Sequence, residues 1–157
     1  MAVSTRSQSR THPLAVGFVA GIIAAILIEL FLLAANHANP IQVWQWIASG
    51  LVGSVPFTAT IYAWLGLGLH FVISILFSII YAYAATSIET LTRRPVLSGI
   101  IYGFVVIIAM HVPIVLTHMA PAPADAKTVI VSLIGHTVFF GLPLALYVSS
   151  RLRPKLR

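Results

Sequence analysis

Four long apolar runs, separated by short polar stretches, set the pattern of this chain. They cover about 14–36, 59–85, 96–118 and 128–150. Each exceeds the roughly 20 residues that a helix needs to cross the hydrocarbon core of a bilayer. Pro13 suits the first turn of a helix, where its missing N–H costs nothing. The first run is longer than the 7–15 or so apolar residues of a signal-peptide core, which predicts a retained helix. Residues 37–56 carry no charge and include Pro40, Trp44, Trp46, Gly50, Gly53 and Pro56. Within them, 41–52 is too short to span, and tryptophan favours the headgroup zone. This predicts a short interfacial helix between the first two spans.

The expected architecture is therefore an all-α integral membrane protein, a four-transmembrane-helix bundle. Residues 14–150 form its single domain, between basic tails at 1–13 and 151–157. Composition sharpens this. Of the 157 residues, 59% are apolar and 8% charged, against roughly 25% charged in soluble domains. Mean hydropathy is +1.01. Most of the surface must then be solvated by the lipid bilayer.

The net charge of +6 does not point to nucleic acid, because the basic residues lie in short clusters between apolar runs. Eight of the nine Lys and Arg fall in the two tails and the 86–95 loop, and only Lys127 lies in the other loops. The positive-inside rule places both termini and that middle loop in the cytoplasm, which requires an even number of spans. There is no cysteine, so thiolate chemistry is excluded.

The two halves of the chain look alike. Gly17 and Gly21 open the first span, and Gly99 and Gly103 open the third at the same spacing. Eight residues after the second glycine stand Glu29 and His111 respectively. His70 precedes Tyr81 by eleven residues, as His136 precedes Tyr147. This suggests a parallel two-fold internal repeat. Small residues four apart let helix backbones approach closely in lipid, so the glycine pairs are expected on packing faces.

Chemistry is expected in one polar layer. Glu29, His70, His111 and His136 each lie in a different span, roughly 10–16 Å below the outer edge at 1.5 Å rise per residue. A carboxylate at the centre of a span costs roughly 2.5–3.5 kcal/mol on insertion scales. Glu29 must therefore be neutral, paired or wet, and a histidine partner would relieve the cost. Ser74, Tyr81, His118 and Tyr147 are accessory polar positions, with His118 on the face of His111. Tyr81, Tyr83 and Tyr147 are expected as anchors at the inner interface. Pro113 and Pro143 each free a backbone carbonyl inside a span.

Three readings of the layer compete. Glu29 and the histidines form a proton or ion pathway. They bind a haem or a transition metal, with His70, His111 and His136 as candidate ligands and His70 with His136 as a facing pair. Or they hydrogen-bond across helices and fix the bundle. No Walker loop, G-x-S-x-G, H-E-x-x-H or paired carboxylates occur, so no enzyme is expected.

Several motifs resemble the YagU family of small bacterial inner-membrane proteins. They are Gly17-x-x-Ala20-Gly21, the run from His70 to Phe77 with Tyr81, Gly99-x-x-x-Gly103, His111, Ala120–Pro123 and Gly135-His136. The resemblance extends from residue 14 to 153. It implies a multi-pass protein of the bacterial inner membrane associated with acid resistance, and so favours proton or ion handling. The first outer loop here is shorter and uncharged, so nothing placed in the family's loop carries over. The alternative is a structural or assembly subunit in which the layer serves packing. In either case a homodimer or a membrane-protein partner is expected.

Overall fold

The computed structural model describes residues 12–36, 39–117 and 126–152, and every regular element among them is helical. The elements are α1 (Pro13–Asn36), α2 (Pro40–Val52), a 3₁₀ turn (Val55–Thr58), α3 (Tyr62–Ser87), α4 (Glu89–Arg93), α5 (Pro95–Thr117), α6 (Ala126–Ile134), a π-helical segment (Gly135–Gly141) and α7 (Leu142–Leu152). The last three run on as one apolar helix of 27 residues, Ala126–Leu152. That run, Pro13–Ala35 and Tyr62–Ser87 are long and apolar enough to cross a membrane. α5 is also apolar over Pro95–His111. His118 and the Ala120–Pro123 segment lie outside the described residues.

Local chemistry sets the helix ends. His12, expected in a polar tail, caps α1: its Nδ1 accepts from the Leu14 N–H at 3.3 Å. Asn39 caps α2, its side-chain oxygen accepting from the Ile41 N–H at 3.0 Å. Both side chains satisfy a donor that the first helical turn leaves open. Pro13 and Pro40 each follow a cap, where proline is favoured. Pro143 follows the π segment by two residues and does not end the long helix.

α1 is the centre of the bundle. It packs along α3 on one side and along the π segment and α7 on the other, while α5 packs on the π segment and α7. α1 buries Val16, Gly17, Ala20, Gly21, Ala24, Ala25, Ile28 and Glu29. Two adjacent rows at spacing four therefore face inward, and five of their eight residues are glycine or alanine. The outer faces are apolar too: Phe18, Leu30, Val72, Leu76, Ile101 and Ile108 are all exposed.

The glycine pairs do the same work in each half. A Cβ added at Gly17 would lie 2.6 Å from Ile79 Cα, and one at Gly21 would lie 2.6 Å from Ile75 Cα. In the second half, a Cβ at Gly99 would lie 2.9 Å from Leu142 Cα, and one at Gly103 would lie 2.6 Å from Thr137 Cα. Each pair lets two antiparallel backbones touch. If His70 is matched to His136, the second contact is shifted by about one turn toward the start of the long helix. Gly66, not singled out by spacing, makes a third close crossing, since any Cβ there would run into the Trp44 carbonyl of α2.

A polar clamp closes the end of the bundle opposite α2. The short helix α4 receives hydrogen bonds at three successive main-chain carbonyls. Ser98 Oγ donates to Thr90 O at 3.3 Å, the Tyr81 hydroxyl to Leu91 O at 3.2 Å and Ser149 Oγ to Thr92 O at 2.7 Å. Tyr81 is thus not the interfacial anchor expected of it. It is fully buried, with its ring edge-on to Tyr102 at 4.8 Å. Its hydroxyl meets a carbonyl that α4 leaves unpaired, which offsets the cost of burial. Tyr83 is exposed, as an anchor would be. Tyr147 is partly buried beneath the Arg151 guanidinium, 5.3 Å from its ring centre.

Two neighbouring glycines give a controlled test of the packing. Gly66→Ala should lower the unfolding midpoint in detergent, by the about 1–3 kcal/mol typical of overpacking. Gly68, which has open space where a Cβ would go, should tolerate alanine or gain up to about 1 kcal/mol of helix propensity. Equal responses from the two variants would contradict this packing.

Candidate functional site

The inward row Gly17, Gly21, Ala25, Glu29 explains how the site forms. The two glycines hold α3 against α1, and one turn further on the helices are still close. His70 Nε2 there lies 3.1 Å from the Ala25 carbonyl. A further turn along stands Glu29, whose Oε2 is 3.8 Å from the same nitrogen. The helix-packing row thus runs directly into the acidic residue.

The other carboxylate oxygen is held by α2. The Trp44 indole N–H donates to Glu29 Oε1 at 2.7 Å, a short bond with charge assistance when the carboxylate is ionised. Oε2 is buried without a hydrogen-bond partner. Glu29 as a residue is 8% exposed, so bulk water does little to solvate that oxygen. α2 is itself fixed, since Gln45 Nε2 donates to the Ala59 carbonyl at 3.2 Å.

His111 and His136 form a second pair, with ring centres 6.1 Å apart. Each ring bonds back to its own helix. His111 Nδ1 is 2.9 Å from Ile107 O, and His136 Nδ1 is 2.8 Å from Ser132 O. A carbonyl can only accept, so in both rings Nδ1 carries the proton. By the same reasoning, the His70 proton that meets Ala25 is on Nε2. Trp46 stacks obliquely on His111 at 5.8 Å. Residues two apart on a helix point about 200° from one another. Trp44 and Trp46 therefore reach the two pairs from opposite sides of α2.

The expected layer of four is in this way resolved into two pairs, one in each half of the bundle. Ser74 is buried in the α3 wall. His136 has His111 as its ring neighbour rather than His70, the facing pair expected for a haem. Among the described residues no three His, Asp or Glu side chains come together as a metal-binding group. Spacing revealed neither Trp44 nor Trp46 as part of the site. The available signal was that a tryptophan inside an apolar bundle needs an acceptor for its N–H, and Glu29 was the acceptor in greatest need of a donor.

Between the two pairs lies an open-sided cavity of about 800 Å³. His70, Ser74 and Phe77 contribute one wall, and His111, Ser132 and His136 contribute another. It exists because α3 and α5 are not packed along their length. They are joined further down, where the Tyr102 hydroxyl donates to Phe77 O at 2.7 Å. Lys127 stands among the lining residues.

Comparison with protein-family models, with curated proteins and with solved structures yields no match.

The Trp44–Glu29 bond can be measured by a double-mutant cycle. Trp44→Phe keeps a ring and removes the N–H, and should destabilise the protein in detergent by about 1.5–3 kcal/mol, the usual range for a hydrogen bond to a charged group. In a Glu29→Gln background the same change should cost less, giving a coupling of about 1 kcal/mol or more. Additive effects would show that the two side chains do not meet.

Proposed function

We propose that this chain is a multi-pass protein of a bacterial inner membrane, with four spans and cytoplasmic termini, that handles protons or ions at the Glu29–His70 pair. The observation that carries the reading is the unpartnered Glu29 Oε2, buried 3.8 Å from His70 Nε2. The Nε2–H has two acceptors in reach, Ala25 O at 3.1 Å and this carboxylate oxygen. Roughly 1 Å of closure would convert the second contact into a hydrogen bond. The pair can exist as carboxylate with imidazolium or as two neutral groups, and the two forms differ by the transfer of one proton between facing side chains. An intramembrane acid and base so placed are the usual elements of a proton relay. His70 borders the open cavity, which offers protons a path to the pair. The resemblance to the YagU family, with its association with acid resistance, agrees with this.

A structural role is the second reading, and one observation favours it. Contacts of Glu29 and His70 tie helices together: Trp44 of α2 to α1, and His70 of α3 to the α1 backbone. In that case the protein is an assembly subunit and the layer sets its shape.

Flux separates the two. Purified protein in liposomes containing a trapped pH-sensitive dye should dissipate an imposed pH gradient faster than protein-free liposomes. Glu29→Gln should remove that excess while keeping the wild-type elution volume and melting temperature close to normal. Wild-type flux equal to that of empty liposomes would sink the proton reading. A melting temperature that falls in Glu29→Gln, with no flux in either protein, would support the structural one.

A further inference from the structure

The cavity has a hydrogen-bonding polarity that the proton reading does not use. His111 and His136 both spend their Nδ1 proton on a main-chain carbonyl one turn back, at 2.9 and 2.8 Å. In a neutral imidazole the second nitrogen is then an acceptor with no proton to give. Both residues line the cavity, and among the described residues no protein donor meets either Nε2. In neutral His70 the proton is on Nε2, engaged with Ala25 O, so its other nitrogen is an acceptor as well. Lys127, Gln42 and hydroxyl side chains of the lining can donate, while the three imidazoles offer acceptors that suit a ligand group bringing a donor.

Size and wall chemistry narrow the class. A volume of about 800 Å³ falls within the roughly 300–1,000 Å³ of small-molecule sites, which are mostly apolar with a few placed polar groups. Trp46, Phe77 and Phe140 supply aromatic faces beside the imidazoles, which suit a flat ring. Most of the remaining lining is aliphatic, Ile28, Leu32, Ile73, Val106 and Leu133 among it, which suits an apolar tail. From this we infer that the cavity is a binding site for a lipophilic phenol: a hydroxyl-bearing aromatic ring with an apolar tail, its O–H donated to His111 or His136 Nε2. His70 is shared with the Glu29–His70 pair, but the acceptors at His111 and His136 stand whether or not that pair moves protons.

The test uses two probes that differ by one donor, para-nonylphenol and its O-methyl ether. Binding to the full chain in lipid nanodiscs is followed by quenching of tryptophan fluorescence, since Trp46 lines the cavity, with empty nanodiscs as the control for partitioning. The phenol should bind saturably and at least about tenfold more tightly than the ether, the loss expected when one buried hydrogen bond is removed. Of the variants His111→Phe and His136→Phe, at least one should weaken phenol binding by a similar factor, and both should leave the ether unchanged. The probe comparison needs no variant, so it stands even if His111→Phe fails to fold. Equal binding of phenol and ether, or no saturable binding of either, would overturn the inference. So would saturable binding of Zn²⁺ that excludes the phenol and is lost in His111→Phe, since the two nitrogens would then serve a cation.

Discussion

The close approach of α1 and α3 is the constraint from which the rest of the structure follows. Gly17 and Gly21 let the α3 backbone lie directly on α1, and no side chain larger than hydrogen fits at either position without moving it. That contact brings His70 within 3.1 Å of the Ala25 carbonyl and 3.8 Å of Glu29. α2 in turn packs on α3, where Gly66 makes room for the Trp44 carbonyl. The polar junction is a consequence of backbone packing, and the junction in turn stabilises the packing by satisfying one carboxylate oxygen. A glycine row that ends on a carboxylate couples stability and chemistry in a single helix face.

The two ends of the bundle solve different problems. At the α4 end, side chains from α3, α5 and α7 donate to three successive carbonyls. Thr90 O also accepts from the Arg94 N–H at 3.0 Å. The side chains supply partners at the end of a five-residue helix, where an unpaired buried carbonyl would be costly. At the α2 end the helices are joined less completely. α3 and α5 part, and the gap becomes the cavity between the Glu29–His70 pair and the His111–His136 pair. Trp44 and Trp46 join α2 to both. The bundle is tight where backbone must be satisfied and open where a small molecule or a proton could enter.

Much of this architecture was legible in the chain. Hydropathy and length located the helices to within a few residues, and Trp44 and Trp46 with Pro40 and Gly53 marked the short helix. The energetic cost of Glu29 singled out the layer, because a lone acid in an apolar run has to be compensated. What could not be read was the direction in which each polar side chain points around its helix. The runs are apolar on all sides, so periodicity gives depth and not azimuth. For that reason four residues at one level could not be divided into two pairs, and Trp44 could not be joined to Glu29. Tyr81 was misplaced for a related reason. Its position at a span end fits an interfacial anchor, and only the path of α4 reveals the carbonyl that draws it inside.

The central claim is that the Glu29 carboxyl is held inside the bundle between α2 and α3. Solid-state NMR in bilayers tests it directly, through the dipolar coupling between the ¹³C-labelled Glu29 carboxyl carbon and the ¹⁵N-labelled Trp44 indole nitrogen. A strong coupling is predicted, matching a Trp44 Nε1 to Glu29 Oε1 distance of 2.7 Å, and it should weaken when Gly66 is replaced by a larger residue. A carboxyl carbon with no measurable coupling to that nitrogen would contradict the account.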